Sequence, residues 1–497
     1  MKKINRLKKS RARWKEKASA RAEEIRERRK SEKRLKTRIQ ELKAELKRLK
    51  NSSESQKSPP TSTKNSQIIE LREASETRAL CVLIIVSTMI PFRAVPKLLN
   101  ILPWNGWIPH FTSVLNWTMR VGLALLNRVG KVAYPWIAII DYSLAIGMNK
   151  VLVVLRVPLT KLREKGKALT LEDCECAGMR IHQKVKGEVV SAALESIFKQ
   201  TGDPVAILKD KGTDLSRGVS LWKENNQKSN IPTIDDVSHV VANALKKQFE
   251  DTEPFRKFKE LINAGAARMR QTSIGYLVPP KLRSKGRFQG ISRVTSWAAK
   301  ILGIFHLERS VKDDSEVKQL RATMPDFLSL EPFIEKFSET MQSVNSVLEL
   351  LKHQGLSEET YQSTRGLLTA LPEVEMKEAI VEWLAQQMAI QRILGSGEDI
   401  PLLVSSDIIE SLFGKFKYAM QRCPSLEINR STLLIPALCG HLERDSIDEL
   451  LRESQHKELL EWEEKNVPET LRKKRQKLNK NHQQKVPKPG EFIGAIG

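Results

Sequence analysis

Three shortages narrow the field before any motif is read. Cysteine is scarce: Cys81, Cys174, Cys176, Cys423 and Cys439 are five thiols in 497 residues, an odd and scattered set without a CxxC pair. That excludes a disulfide framework and fits a reducing compartment. Cys174, Cys176 and His182 stand close in sequence, but the spacing is wrong for a zinc knuckle and a fourth ligand is missing, so inert buried thiols are expected. Long apolar runs are lacking too. The strongest, Leu80 to Ile90, has eleven residues, whereas a bilayer span needs about 20. It reads as a buried helix, and the charged N-terminus carries no apolar signal-peptide core. No membrane partner is expected.

Acidic residues are the third shortage, and it is local. Lys and Arg number 84 against 59 Asp and Glu, a net charge of +25. Residues 1–50 hold 22 basic and 7 acidic side chains, residues 467–497 hold 8 and 2, and residues 256–300 hold 11 with one acid, Glu260. The remainder is slightly acidic. A folded body with discrete polyanion-binding surfaces follows, and nucleic acid is the leading partner class. With 40% hydrophobic residues over this length, several domains are expected.

Residues 1–50 read as a basic helix. Leu35, Ile39, Leu42, Leu46 and Leu49 make a short heptad seam, which either dimerises or belongs to a solvated charged helix. Residues 51–67, rich in Ser, Pro and Asn, read as a linker. Residues 68–130 give three helical runs broken at Pro91 and around Pro103 to Gly106, the outline of a helix-turn-helix reader. Its third helix would turn Asn116 and Arg120 toward bases, while Arg93 and Lys97 on the second contact phosphates or are simply solvated.

From Trp136 the period changes, and apolar, β-branched runs appear. WIAIID and VLVVLRV read as paired strands, 169–181 holds a third, VAILKD (205–210) a fourth and IPTIDDV (231–237) a fifth, with helices at 184–200, 214–226 and 238–250. That is the order of a ribonuclease H-like α/β domain. It would occupy 131–250 and 401–425 around a helical insertion at 251–400, followed by helices at 426–466 and a basic disordered tail at 467–497.

Cation-assisted phosphodiester chemistry needs carboxylates converging from separate elements. Asp141 closes the first strand, Asp210 the fourth, and Glu410 sits on the helix after 401–406, with Lys417 two turns along on the same face to contact a phosphate. The rivals Asp214 and Asp407 better suit helix N-caps. Asp236 and His239 either orient a ligand or water, or Asp236 caps the next helix. In the basic block Arg283, Lys285, Arg287 and Arg293 would pair with phosphates. Trp297 would take an unstacked base or belong to a core.

The segments WIAIIDYSLAIG, VAILKDKGTDLSRGV, IDDVSHVVANALK, VPPKLRSKGRF and SSDIIESLFGKFK, in that order, resemble the DDE transposases of bacterial insertion sequences, over roughly residues 68–440. IPFRAVPKLL and HFTSVLNWTMRVGLALL resemble the helix-turn-helix segments such enzymes place upstream. The resemblance implies a metal-binding triad of Asp141, Asp210 and Glu410, two Mg²⁺ or Mn²⁺ ions, and Lys417 as the basic residue after the Glu. It also implies double-stranded DNA as transposon end and target, a homodimer or higher oligomer, and a cytoplasmic location on the bacterial nucleoid. The 200 residues between Asp210 and Glu410 exceed the compact spacing of simpler members and imply the helical insertion. The competing reading is a non-catalytic DNA-binding regulator or structural protein derived from a transposase.

Overall fold

The computed structural model describes residues 63–102, 104, 106–143, 149–165, 169–282, 287–307, 315–395, 400–420 and 428–485. The basic heptad helix expected at 1–50 lies outside these. The chain divides into two units, residues 1–73 and residues 74–497; the second carries everything that follows except the first part of α1.

Three helices come first, α1 (Thr63–Thr88), α2 (Ala94–Ile101) and α3 (Phe111–Arg128). α1 begins inside the stretch expected to be a linker. A mixed five-stranded sheet follows: β1 (Trp136–Ser143), β2 (Lys150–Pro158), then α4 (Leu159–Lys165), β3 (Glu175–His182), α5 (Gly187–Thr201), β4 (Ala206–Lys209), α6 (Thr213–Asn225), β5 (Thr233–Asp235) and α7 (Val237–Phe249). The strand order is β3-β2-β1-β4-β5. β1, β2 and β3 pair antiparallel, whereas β4 runs parallel to β1 and β5 parallel to β4. The succession of strands and helices along the chain is the one expected of a ribonuclease H-like domain. The connections differ accordingly: residues 144–149 join β1 to β2, residues 159–174 with α4 join β2 to β3, and helix crossovers α5 and α6 bring back the parallel strands. α5 stops at Gly202, whose φ of +82° suits glycine.

Alternation along the strands gives the sheet two unlike faces. Ala138, Ile140, Leu152 and Val154 pack with α5 and α6 through Leu194, Phe198 and Trp222. Ile137, Ile139, Val153, Leu155 and Leu208 point the other way, into a larger core. That core takes in α1 to α3 and a long helical stretch, α8 (Glu253–Met269), α9 (Ile291–Leu307), α10 (Ser315–Thr323), α11 (Glu331–Gln354), α12 (Glu358–Thr369) and α13 (Val374–Gly395). The insertion is therefore helical, as its pattern implies. α14 (Asp407–Met420) then returns to the sheet and packs on β1. The C-terminal helices are α15 (Leu434–Ala437), α16 (Arg444–Glu453), α17 (His456–Asn466) and α18 (Leu471–Lys485). α18 corrects the expectation of a disordered tail: its Leu, Arg, Lys and Gln side chains are good helix formers, and no proline interrupts them before Pro487.

α3 departs most from the expected layout. It packs against α15, α16 and α17, closely enough that a Cβ at Gly122 would collide with the Leu433 carbonyl oxygen. Helices 68–130 thus do not stand as a separate domain; from residue 74 they share one unit and one core with the sheet.

Candidate functional site

The site is built at the ends of two neighbouring parallel strands. The β1–β4 ladder ends at Ile140 opposite Lys209, so Asp141 and Asp210 each stand one residue beyond that pair, on strands about 4.8 Å apart. Period-two alternation puts both on the side of Ile139 and Leu208, the face of the larger core. α14 lies on that face, burying Ile408, Ile409, Leu412, Phe413 and Phe416. Its opposite flank leaves Glu410 exposed and Lys417 half-buried.

Charge ties these residues together. The Asp141 carboxyl is pushed up to about 8, first by burial, then by the like charge of Asp210 and, more weakly, of Glu410. The Tyr142 backbone N–H, donating to its Oδ1 at 2.6 Å, and the Lys417 ammonium oppose the rise. Asp210 Oδ1 accepts the Gly212 N–H at 2.9 Å. Glu410 is also raised, although the residue as a whole is exposed: partial desolvation of its carboxyl comes first, then Asp407 and Asp236, against the pull of His239 and Lys352. A cluster with that imbalance is short of positive charge, and its oxygen-only donors match a hard divalent cation. As placed, no three such side chains among the described residues close on one point at metal-binding distance.

The rivals have other partners. Asp407 opens α14 and is held by Lys352 of α11, with Nζ at 2.8 and 3.0 Å from its two oxygens; it is not the helix cap. Asp214 is an exposed residue in the first turn of α6, and Gly212, not Asp214, holds the cap position. Of the two readings of Asp236, the structure shows the helix cap. The residue is buried, and Oδ1 caps α7 by accepting the His239 N–H at 2.9 Å, while Oδ2 accepts the Ser406 N–H at 2.6 Å and its hydroxyl at 2.9 Å. One carboxylate thus joins the end of β5 to the residue that precedes α14. Val237 N–H to the Val404 carbonyl, and the paired Leu356 and Leu402 backbones, thread the same 402–406 segment between sheet and insertion. Ser406 and Lys352 were not singled out in the sequence. The one signal was the SSD triplet before α14, a common helix-start signature.

The outlying residues fare unevenly. Arg120 is occupied: Nε donates to the Ser454 carbonyl at 2.7 Å and Nη2 to that of Leu451, which fastens α3 to the end of α16. Asn116 has its Oδ1 enclosed. Arg120 therefore faces the C-terminal helices and not a base-reading surface. Arg93 and Lys97 remain exposed on α2 and its cap. Trp297 is a packing residue. Its Nε1 donates to the Leu277 carbonyl at 2.9 Å, and its ring meets Phe327 edge-on at 6.0 Å. Arg293 is exposed on α9; Arg283 and Lys285 lie outside the described residues, as does the Arg287 side chain. Cys174 and Cys176 are buried together with Cys439 rather than with His182, and burial raises the Cys439 thiol first, with the other two adding to it.

No family model matches the chain, and the comparison with curated proteins finds no match either. Among solved structures, the Drosophila P element transposase strand transfer complex is similar at 12% identity over 83% of this chain and 97% of that one, with a TM-score of 0.36. A score of that size does not establish a shared fold. Among the described residues, no helix is long and apolar enough to cross a membrane.

Proposed function

We propose that this chain is a DDE-type DNA transposase, which binds transposon-end DNA and catalyses phosphodiester hydrolysis and strand transfer with divalent cations. One observation carries the reading. Asp141 and Asp210 end adjacent parallel strands on a single face, beneath a helix bearing Glu410 and Lys417, and the charges of all three are felt at Asp141. Two carboxylates at adjacent strand ends, with the charge of a third felt at Asp141, raise the cost of ionising Asp141, and a cation-binding role there would account for that cost.

Asp141 and Asp210 would hold Mg²⁺ or Mn²⁺ between them, with Glu410 closing the set. Bound there, two ions supply Lewis acidity for the attacking and leaving oxygens of an in-line displacement. The chain's own groups do the rest. Lys417 offers an ammonium to the phosphate being cut, and Asp236 keeps α14 and therefore Glu410 in place through Ser406. Lys352 neutralises Asp407, which leaves Glu410 as the acid available to a cation. The basic stretch 256–300 and Arg93 and Lys97 would follow the DNA backbone. Two ends must be joined, so a dimer or larger assembly is part of the proposal.

The test is nicking of DNA that carries the inverted repeats flanking the coding region, with Mg²⁺ present. Asp141→Asn should abolish nicking and leave DNA affinity within about twofold. DNA binding with no nicking in the wild-type chain would instead favour a non-catalytic DNA-binding protein, and nicked ends that never join target DNA would favour a plain nuclease.

A further inference from the structure

Between Glu76 and Asp141 the chain has no acidic residue: 64 consecutive positions carry Arg78, Arg93, Lys97, Arg120, Arg128 and Lys131 and no carboxylate. Arg120 is spent on α16 and Arg128 on Glu453, but Arg93 and Lys97 are exposed. Beside them the turn from α2 to α3 presents large apolar side chains to water, with Ile101 79%, Trp107 55%, Leu102 49% and Ile108 38% exposed. This turn is held by aromatic contacts to α3. Trp107 meets Trp117 edge-on at 5.8 Å, and the Arg93 guanidinium lies 4.8 Å above the Phe111 ring. Isolated exposed apolar side chains are ordinary, but four at one turn with cations alongside mark an interaction surface.

We propose that this turn is a wedge for unstacked bases of DNA: Trp107 and Ile101 enter a distorted or unpaired step while Arg93 and Lys97 take the flanking phosphates. The charge pattern selects the partner. Residues 77–140 contribute no carboxylate of their own to repel a polyanion, the nearby Glu453 being paired with Arg128, and unpaired bases offer flat apolar faces to an indole and an aliphatic chain. Paired B-form DNA offers only phosphates here, so the apolar part discriminates between stacked and unstacked DNA while the cations do not. The proposal rests on the DNA-binding reading above, not on its catalytic part.

The full chain is titrated against a duplex with a short unpaired bulge containing 2-aminopurine, and against the same duplex fully paired. The wild-type chain should prefer the bulged duplex by about tenfold, with a change in 2-aminopurine emission. Ile101→Ser with Trp107→Ala should erase the preference and keep the affinity for paired DNA. Ile101→Ser alone, at so exposed a position, should fold normally and erase part of it. Arg93→Gln with Lys97→Gln should weaken both duplexes equally and flatten the salt dependence. An equal preference in wild type and double variant overturns the wedge. So does a Trp107-dependent blue shift on phosphatidylserine–phosphatidylcholine vesicles without any response to the bulge, which would make the turn a membrane-surface contact. An Asp141→Asn chain should retain the preference, so loss of nicking and loss of the wedge are separate results.

Discussion

Asp141→Asn should make the cation-free protein more stable, although it removes the residue most central to the proposed chemistry. In the folded chain this carboxyl rises from 3.8 to about 8, so unfolding releases it from burial and from Asp210. Since the folded value is raised, stability from this group is fully present below the unfolded pKa and declines as pH climbs to about 8. Four decades of proton affinity set an upper bound of about 5–6 kcal/mol at 1.36 kcal/mol per decade. The side chain is only half-buried, and water and relaxation should leave about 2–3 kcal/mol. Asparagine keeps an oxygen for the Tyr142 N–H, so little is lost in exchange. For a unit of this size that gain corresponds to about 2–3 °C in the thermal midpoint. Differential scanning calorimetry in EDTA, on both chains from pH 4.5 to 9, reads the effect. Their difference should be smallest at acid pH, widen through neutrality and level off above about pH 8. Added Mg²⁺ should raise the wild-type midpoint and leave the variant unmoved. A variant less stable than wild type at pH 9, or a gain independent of pH, contradicts the crowding of acids at this site.

Four further outcomes follow from the same contacts. Asp236→Ala removes a buried carboxylate that accepts three hydrogen bonds; denaturant melts should show a loss of about 2–4 kcal/mol, and nicking should fall further than DNA affinity. Lys352→Met frees Asp407 beside Glu410, so the Mg²⁺ concentration for half-maximal nicking should shift, and Lys352→Arg should restore it; an unchanged titration means the pair is only structural. Gly122→Val drives a side chain into the Leu433 carbonyl and should lower the thermal midpoint measurably while Gly303→Ala, at a helical position with open space, should not. Trp297→Phe should cost about 1 kcal/mol for the lost bond to Leu277 and leave single-stranded DNA affinity unchanged, as a packing residue requires.

Much of the sheet was legible because local composition decides it: WIAIID and VLVVLRV both run apolar, as strands covered on both faces must. Asp141 and Asp210 were legible for the same reason, as the acids that end two such runs. What was not legible depends on contacts far apart in the chain. Asp236 and Ser406 are 170 residues apart, and nothing near either residue reveals that one carboxylate serves both. Arg120 looked like a base reader because an arginine that fastens a distant helix end has the same local pattern as one that faces solvent. Trp297 was left between two roles, and only the position of Leu277 and Phe327 decides for packing. The cap of α6 was misplaced by two residues, since Asp210 spends an oxygen on Gly212 and the helix starts there without a side-chain cap.

The most direct measurement is anomalous diffraction at the manganese edge from crystals grown with Mn²⁺ and DNA. Manganese peaks within about 2.0–2.4 Å of carboxylate oxygens of both Asp141 and Asp210, with Glu410 drawn to one of them, are the predicted result. Crystals saturated with Mn²⁺ that show no peak at these aspartates, or one held by Asp407 and Asp214 instead, would contradict it.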